Sequence, residues 1–265
     1  TTFIWFFGPQ AGILSPITFL LVLYGLWQGG KRGIFQHDDR YLFLFGHAIP
    51  LFGFFLILSL FSVCYVNWAA PAYFTAFILA VAVVWQGGWR EKTKRWALAA
   101  AVIVGGVISL LAYNLDTVRS VAVRLGAPIP ADEFPTSRLK GWRELGAEVG
   151  AILDEVGRER TFIISYKRQF VSEIAFYAEG HPRVYLLNLS SHIKSQYGLW
   201  KGFEDKIGFN ALYITKLDRT VPESFAKAFE GVEEIKRVKV YAGEELIKGF
   251  SIFYCRNFRG LDQGP

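Results

Sequence analysis

The chain has 265 residues, 52% of them hydrophobic, a formal net charge of +6 and two cysteines. Its charges are unevenly spread: only 7 of the 29 Lys and Arg, and 3 of the 23 Asp and Glu, precede residue 115. The charge-free windows 1–30, 41–89 and 96–115 exclude a single water-soluble globule, and the composition excludes disorder and a disulfide scaffold.

About 20 apolar residues cross the hydrocarbon core of a bilayer. Four spans fit the windows, at roughly 11–28, 42–63, 69–86 and 96–114. The long window breaks near Tyr65-Val66-Asn67-Trp68, where polar and aromatic groups suit a membrane interface. Pro50 falls inside the second span and should kink it, because it removes one backbone hydrogen bond. Pro71 sits in the first turn of the third span, where a missing N–H costs little. The loop 29–40 holds Lys31, Arg32 and Arg40, and the loop 86–95 holds Arg90, Lys92, Lys94 and Arg95. Both should face the cytoplasm, since Lys and Arg set orientation. The turn at Asn67, Gln10 and everything after the fourth span then lie outside. Topology accounts for the basic loops, so no nucleic-acid partner is expected.

Beyond the spans, residues 116–138 read as a linker with Pro128, Pro130 and Pro135. An amphipathic helix is predicted at 141–157, where Trp142, Leu145, Val149, Ile152, Leu153 and Val156 recur at helical spacing. Strands are predicted at 161–165, 183–187 and 211–215, helices at 170–178 and 222–229, and two final strands at 234–241 and 249–254, as an antiparallel pair. The alternation favours a small α/β domain with a mainly parallel sheet. The expected organisation is a transmembrane region at 1–115, a linker at 116–140 and an extracytoplasmic α/β domain at 141–265. No glycine-rich phosphate motif follows a predicted strand, so the fold class carries no nucleotide site.

Chemistry-bearing residues are sparse. His37, His47, His181 and His192 lack metal-ligand spacing, so neither metal nor cofactor is expected. His47 lies within a span, where it reads as a helix–helix hydrogen-bonding group. Cys64 and Cys255 belong to different regions and read as free thiols. No nucleophile and base come together. Three segments carry candidate binding groups. Asn67-Trp68-Ala-Ala-Pro71-Ala-Tyr73 places an amide, an indole and a phenol at one membrane boundary, where they suit a sugar or a lipid headgroup. Gly8-Pro9-Gln10-Ala11-Gly12, followed by Ser15-Pro16, permits close helix packing and an irregular entry, with Gln10 facing an outward cavity. The segment from Ser190 through Gln196 and Tyr197 to Trp200 follows the second strand of the α/β domain, beyond its carboxyl end, where open α/β sheets place ligands. For each segment the plainer alternative is structural: an aromatic belt, a packed helix start, a docked loop.

Taken in order, these segments resemble a known family. Gly8-Pro9-Gln10-Ala11-Gly12, Asp38-Asp39-Arg40 before the span with Pro50, Asn67-Trp68-Ala-Ala-Pro71-Ala-Tyr73, Gly141-Trp-Arg-Glu-Leu145, Glu173-Ile-Ala-Phe-Tyr177, Pro182-Arg-Val-Tyr185 and Gln196-Tyr-Gly-Leu-Trp200 together resemble the C-terminal portion of bacterial glycosyltransferases of the protein-mannosyltransferase and aminoarabinose-transferase type, of GT-C architecture. The resemblance implies transfer of a hexosyl or pentosyl group from a polyprenyl-phosphate donor to a lipid, protein or glycan acceptor, on the outer side of the bacterial inner membrane. Membrane lipid would be a further partner. It implies an inverting reaction with an acidic base in an upstream external loop, so this chain reads as part of a longer protein and as inactive alone. Gln10, Asn67, Trp68, Tyr73, Gln196 and Tyr197 are then the expected substrate-binding residues, with the α/β domain covering the cavity. The sequence departs from the family at Val63, where a basic residue is common, and at Tyr65, where a polar or acidic one is. The competing expectation is a non-enzymatic membrane protein, a transporter or sensor, with a ligand-binding α/β domain.

Overall fold

A computed structural model describes residues 2–127, 129–189, 192–193 and 195–261. Pro128 of the expected linker, and Ser190, Ser191 and Lys194 of the polar loop, lie outside the described residues. The chain divides into two compact units, residues 1–118 and 119–265.

The first unit is helical: α1 (Thr2–Leu14), α2 (Pro16–Phe35), α3 (Asp39–Phe61), α4 (Ala70–Gln86) and α5 (Glu91–Tyr113), with a single 3-10 turn, Val66–Ala69, leading into α4. Three segments, 39–61, 66–86 and 91–113, are long and apolar enough to cross a membrane; the count is four only if α1 and α2 form one broken span. Their length and composition are those of a membrane protein. The expected first span at 11–28 runs straight through a break: α1 and α2 meet at 109°. Ser15 causes it. Its φ of 69° lies in the left-handed region, its hydroxyl accepts from the Thr18 amide at 3.3 Å, and Pro16 opens α2. Pro50, by contrast, is carried inside a continuous α3.

Small residues let α2 pack closely. A Cβ on Gly25 would lie 2.5 Å from Ala80 Cα, and one on Gly33 would lie 2.7 Å from Leu42 Cα, so α2 meets α4 and α3 backbone to backbone. The Arg32 guanidinium donates to the Tyr41 hydroxyl at 2.9 Å, and that hydroxyl donates to Gln86 Oε1 at 2.9 Å. These bonds bring the two basic loops to one end of the helices. His47 does not bridge helices as expected; it is exposed and its Nδ1 lies 2.8 Å from the Phe43 carbonyl of its own helix. A ring nitrogen that satisfies itself one turn back needs no neighbour.

In the second unit, α6 (Leu115–Arg124), whose first turn still belongs to the helical unit, continues past residue 119 where a linker was expected. There follow α7 (Trp142–Val156), β1 (Thr161–Ser165), α8 (Arg168–Tyr177), β2 (Val184–Leu186), β3 (Asn210–Lys216), α9 (Glu223–Ala226), β4 (Phe229–Ala242) and β5 (Glu245–Phe258). The sheet order is β2-β1-β3-β5-β4. β1 runs parallel to both β2 and β3, while β5 is antiparallel to β3 and to β4. The sheet is therefore mixed rather than mainly parallel. The reason is local: Gly243, at φ 63°, and Glu244 form a two-residue hairpin turn that returns β5 directly beside β4.

Both faces of the sheet are covered, which is why β1 is buried at every position. Ile163, Leu212, Ile214, Phe250 and Ile252 pack under α7 and α8, with Trp142, Leu145, Phe170 and Ile174. The opposite face is aromatic: Phe162, Phe203, Tyr213, Phe225 and Phe258 form one cluster with Cys255. Cys64 and Cys255 are free and buried.

Candidate functional site

Two of the expected residues form a clamp in the helical unit. The Tyr73 hydroxyl donates to Gln10 Oε1 at 2.6 Å, and Gln10 Nε2 donates to the Val66 carbonyl at 3.1 Å. Gln10 is fully buried, so it faces no open cavity, contrary to expectation. Its amide is used at both ends because α1 turns across the 3-10 turn, and an unpaired buried amide is costly. Nearby, Thr2 Oγ1 donates to the Ser59 carbonyl at 2.5 Å, tying α1 to the end of α3 as well. The clamp fixes the backbone immediately before Asn67 and Trp68.

Those two residues are presented outward. Asn67 is exposed, and its amide makes no hydrogen bond among the described residues. Trp68 is 41% exposed and leans on Phe55 and Tyr65, at ring centroid distances of 5.7 and 5.3 Å. Val63 and Tyr65 stand exposed beside them. The surface is therefore an unengaged amide next to an aromatic platform, with no charged side chain between Ser62 and Ala70. Such a pair suits a polyhydroxylated ligand, whose apolar ring face packs on an indole while its hydroxyls meet the amide.

Gln196 and Tyr197 belong to the other unit, in a 3-10 turn after β2. Gln196 is exposed. The Tyr197 hydroxyl lies 2.7 Å from Ser172 Oγ of α8, and its ring meets Trp200 edge-on at 5.1 Å. Tyr197, Trp200, His181 and Arg183 border a hollow of about 750 Å³.

A larger cavity in the same unit, about 900 Å³, is bordered by Ser195 and Gly198 of the loop expected to carry a ligand, but its cationic residues were not among the expected ones. It opens at the carboxyl ends of the three parallel strands, and Tyr166, Lys167, Arg168 and Arg219 line it. The signal was available: Tyr166-Lys-Arg168 directly follows the first predicted strand, and Arg219 closely follows the third. Burial pushes the Tyr213 phenol at its floor up to about 12, opposed by the Thr215 hydroxyl beside it. Elsewhere, Lys248 Nζ donates to the carbonyls of Arg138 and Lys140 at 3.1 and 2.8 Å and lies 4.3 Å from the Trp142 ring centroid. Burial pushes its ammonium down to about 8.

Comparison with known proteins gives one informative likeness. Over 171 residues the chain is 26% identical to a lipid A galacturonosyltransferase, RgtD, of Rhizobium johnstonii. The likeness covers 64% of this chain and 33% of the relative, so the chain spans about a third of that protein's length. No family model matches the chain, and no solved structure matches it. The likeness is to a glycosyltransferase, in keeping with a transferase role for a membrane protein of this kind.

Proposed function

We propose that the chain is part of an integral membrane glycosyltransferase of the GT-C type that moves a sugar from a polyprenyl-phosphate donor to a lipid, protein or glycan acceptor. The observation that carries this reading is the 171-residue likeness to a lipid A galacturonosyltransferase. The basic loops at one end of the helices support an orientation in the bacterial inner membrane with the Asn67–Trp68 turn and the α/β unit on the outer side.

In this reading the sugar of the donor packs on Trp68, and Asn67 bonds its hydroxyls. Gln10 and Tyr73 act on substrate by holding the turn, through Val66, in the shape that presents both groups. Gln196 and Tyr197 are substrate-binding candidates within the α/β unit itself. The apolar groove bordered by Val22, Ala80, Val81 and Val102, about 450 Å³, takes part of the polyprenyl tail. The catalytic base is assigned to a segment of the full-length enzyme outside this chain.

The test is the double substitution Asn67→Ala/Trp68→Ala in the full-length enzyme in its own cells, with glycolipids and glycans profiled by mass spectrometry. Transfer should fall about tenfold or more, since several directed contacts to the sugar are lost together, while folded protein persists. Unchanged product at unchanged protein level removes the turn from the site.

A further inference from the structure

The strand order places β2 and β3 on opposite sides of β1, so the chain leaves β1 in one direction and later returns on the other. Open α/β sheets have a crevice at such a point, outside the carboxyl ends of the strands. Here that crevice is the cavity of about 900 Å³. Lys167, Arg168 and Arg219 line it, and no carboxylate does among the described residues. None of the three is in an ion pair with a described acid. Two of them are gathered on one ring: Lys167 Nζ lies 5.4 Å and Arg219 Cζ 5.6 Å from the Tyr166 centroid.

The polar residues Gln169, Asn188 and Thr220 line the same space. α8 also starts here: its N-cap, Lys167, makes no side-chain cap, so the first-turn N–H groups beside Arg168 and Gln169 are left uncapped at an end of the helix that favours anions.

We infer that this crevice binds a phosphate monoester carried on a sugar-sized or larger body. Three cations beside an uncapped helix start match the three oxygens and double charge of a phosphomonoester better than a singly charged carboxylate. The volume far exceeds a bare phosphate, and Leu186, Leu189 and Pro222 give the body an apolar wall. The inference needs nothing from the transfer reaction, because it concerns binding alone.

The test is calorimetry on the whole chain in detergent at low salt. The probes are glucose 1-phosphate, inorganic phosphate, dihexanoyl phosphatidic acid and, as the neutral control, glucose. Glucose 1-phosphate should bind, inorganic phosphate should compete, and glucose should not bind. Tighter binding of the phosphatidic acid assigns the phosphate to a lipid headgroup, and tighter binding of glucose 1-phosphate to a soluble ester. Arg168→Gln/Arg219→Gln should weaken every phosphate probe at least about tenfold. Lys236→Gln, which removes an ion-pair partner of Glu148, should leave affinity unchanged. Continued protection of the Cys255 thiol establishes that each variant is folded. No phosphate probe binding to the unmodified protein, equal binding of glucose, or full affinity in Arg168→Gln/Arg219→Gln overturns the inference.

Discussion

In the helical unit, Phe54, Phe61, Trp96 and Val102 are each more than half exposed, while Gly25, Ala72, Ala76 and Gln10 are buried. In the α/β unit the order is reversed: Phe225, Phe250 and Phe258 are almost wholly buried. The contrast follows from the solvent. Lipid offers apolar contact as good as any core, so helices associate through small residues and a few internal hydrogen bonds, and many large side chains turn outward while others, such as Phe6 and Leu79, pack inside. In water the same side chains supply the driving force for folding. The two candidate surfaces differ in the same spirit: the turn at Asn67 and Trp68 is uncharged, while the crevice beyond β1 carries three cations. One suits sugar hydroxyls and the other an anion.

The largest expected effect tests that inversion. Phe225→Ala removes a ring packed against Phe203, Tyr213 and Phe229, and should destabilise the α/β unit by about 3–5 kcal/mol. Phe54→Ala, at a side chain 57% exposed, should change the stability of the helical unit little. Cys255 reports the first in a Cys64→Ala background. Burial pushes its thiol up to about 12, so maleimide labelling tracks opening of this unit. Equal labelling in Phe225→Ala and the parent would break the contrast.

Smaller effects sharpen it. Gly25→Leu drives a side chain into the backbone of Ala80, which cannot yield as a flexible side chain would, and should cost about 1–3 kcal/mol of helical-unit stability. Unfolding in mixed micelles measures it, with Gly53→Leu, where a Cβ meets nothing within 4 Å, as the neutral comparison. A double-mutant cycle between Gln10→Ala and Tyr73→Phe should give a coupling of about 0.6 kcal/mol, the usual scale for hydrogen bonds within membrane helices. Zero coupling would mean that the 2.6 Å bond does not act as a clamp.

Much of this architecture was legible before any coordinates. β1 matched its expected bounds at 161–165, and α7, α8 and β3 came within two residues, because each combines a periodic apolar pattern with a clear stop. The break at Ser15 was not legible as a break: charge-free apolar sequence runs across it, and only a positive φ at one serine separates the two helices. The sheet was expected to be mainly parallel because alternation of helix and strand dominates its first half, whereas its last two strands obey hairpin geometry. Among candidate site residues, Gln10 and Tyr73 stood out as polar groups in apolar surroundings, yet their pairing across 63 positions was invisible in the sequence. The loop after β2 marked this end of the sheet, but Lys167, Arg168 and Arg219 were not legible as a group, because they come from separate loops that only the strand order unites.

The smallest effect concerns Lys248 of the α/β unit, whose counterpart in the helical unit, the buried Lys94, donates to the Trp85 carbonyl at 2.8 Å but is paired with Glu91. Burial lowers the folded value of Lys248 to about 8 from an ordinary 10.5. Between those values the unfolded chain holds more protons than the folded one, so stability should rise as pH climbs from 8. The neutral amine still has two N–H groups for the Arg138 and Lys140 carbonyls, so deprotonation keeps both bonds and relieves the cost of a poorly solvated charge. Cys255 acts in the opposite direction. Its folded value is raised above an ordinary 9, so the stability tied to its neutral thiol is lost as pH rises beyond 9. The clean window is therefore pH 8 to 9, where the parent should gain stability and Lys248→Met should not. Thermal unfolding followed at both pH values decides it; a parent and Lys248→Met that respond identically would mean that the ammonium is as well solvated in the fold as in the open chain.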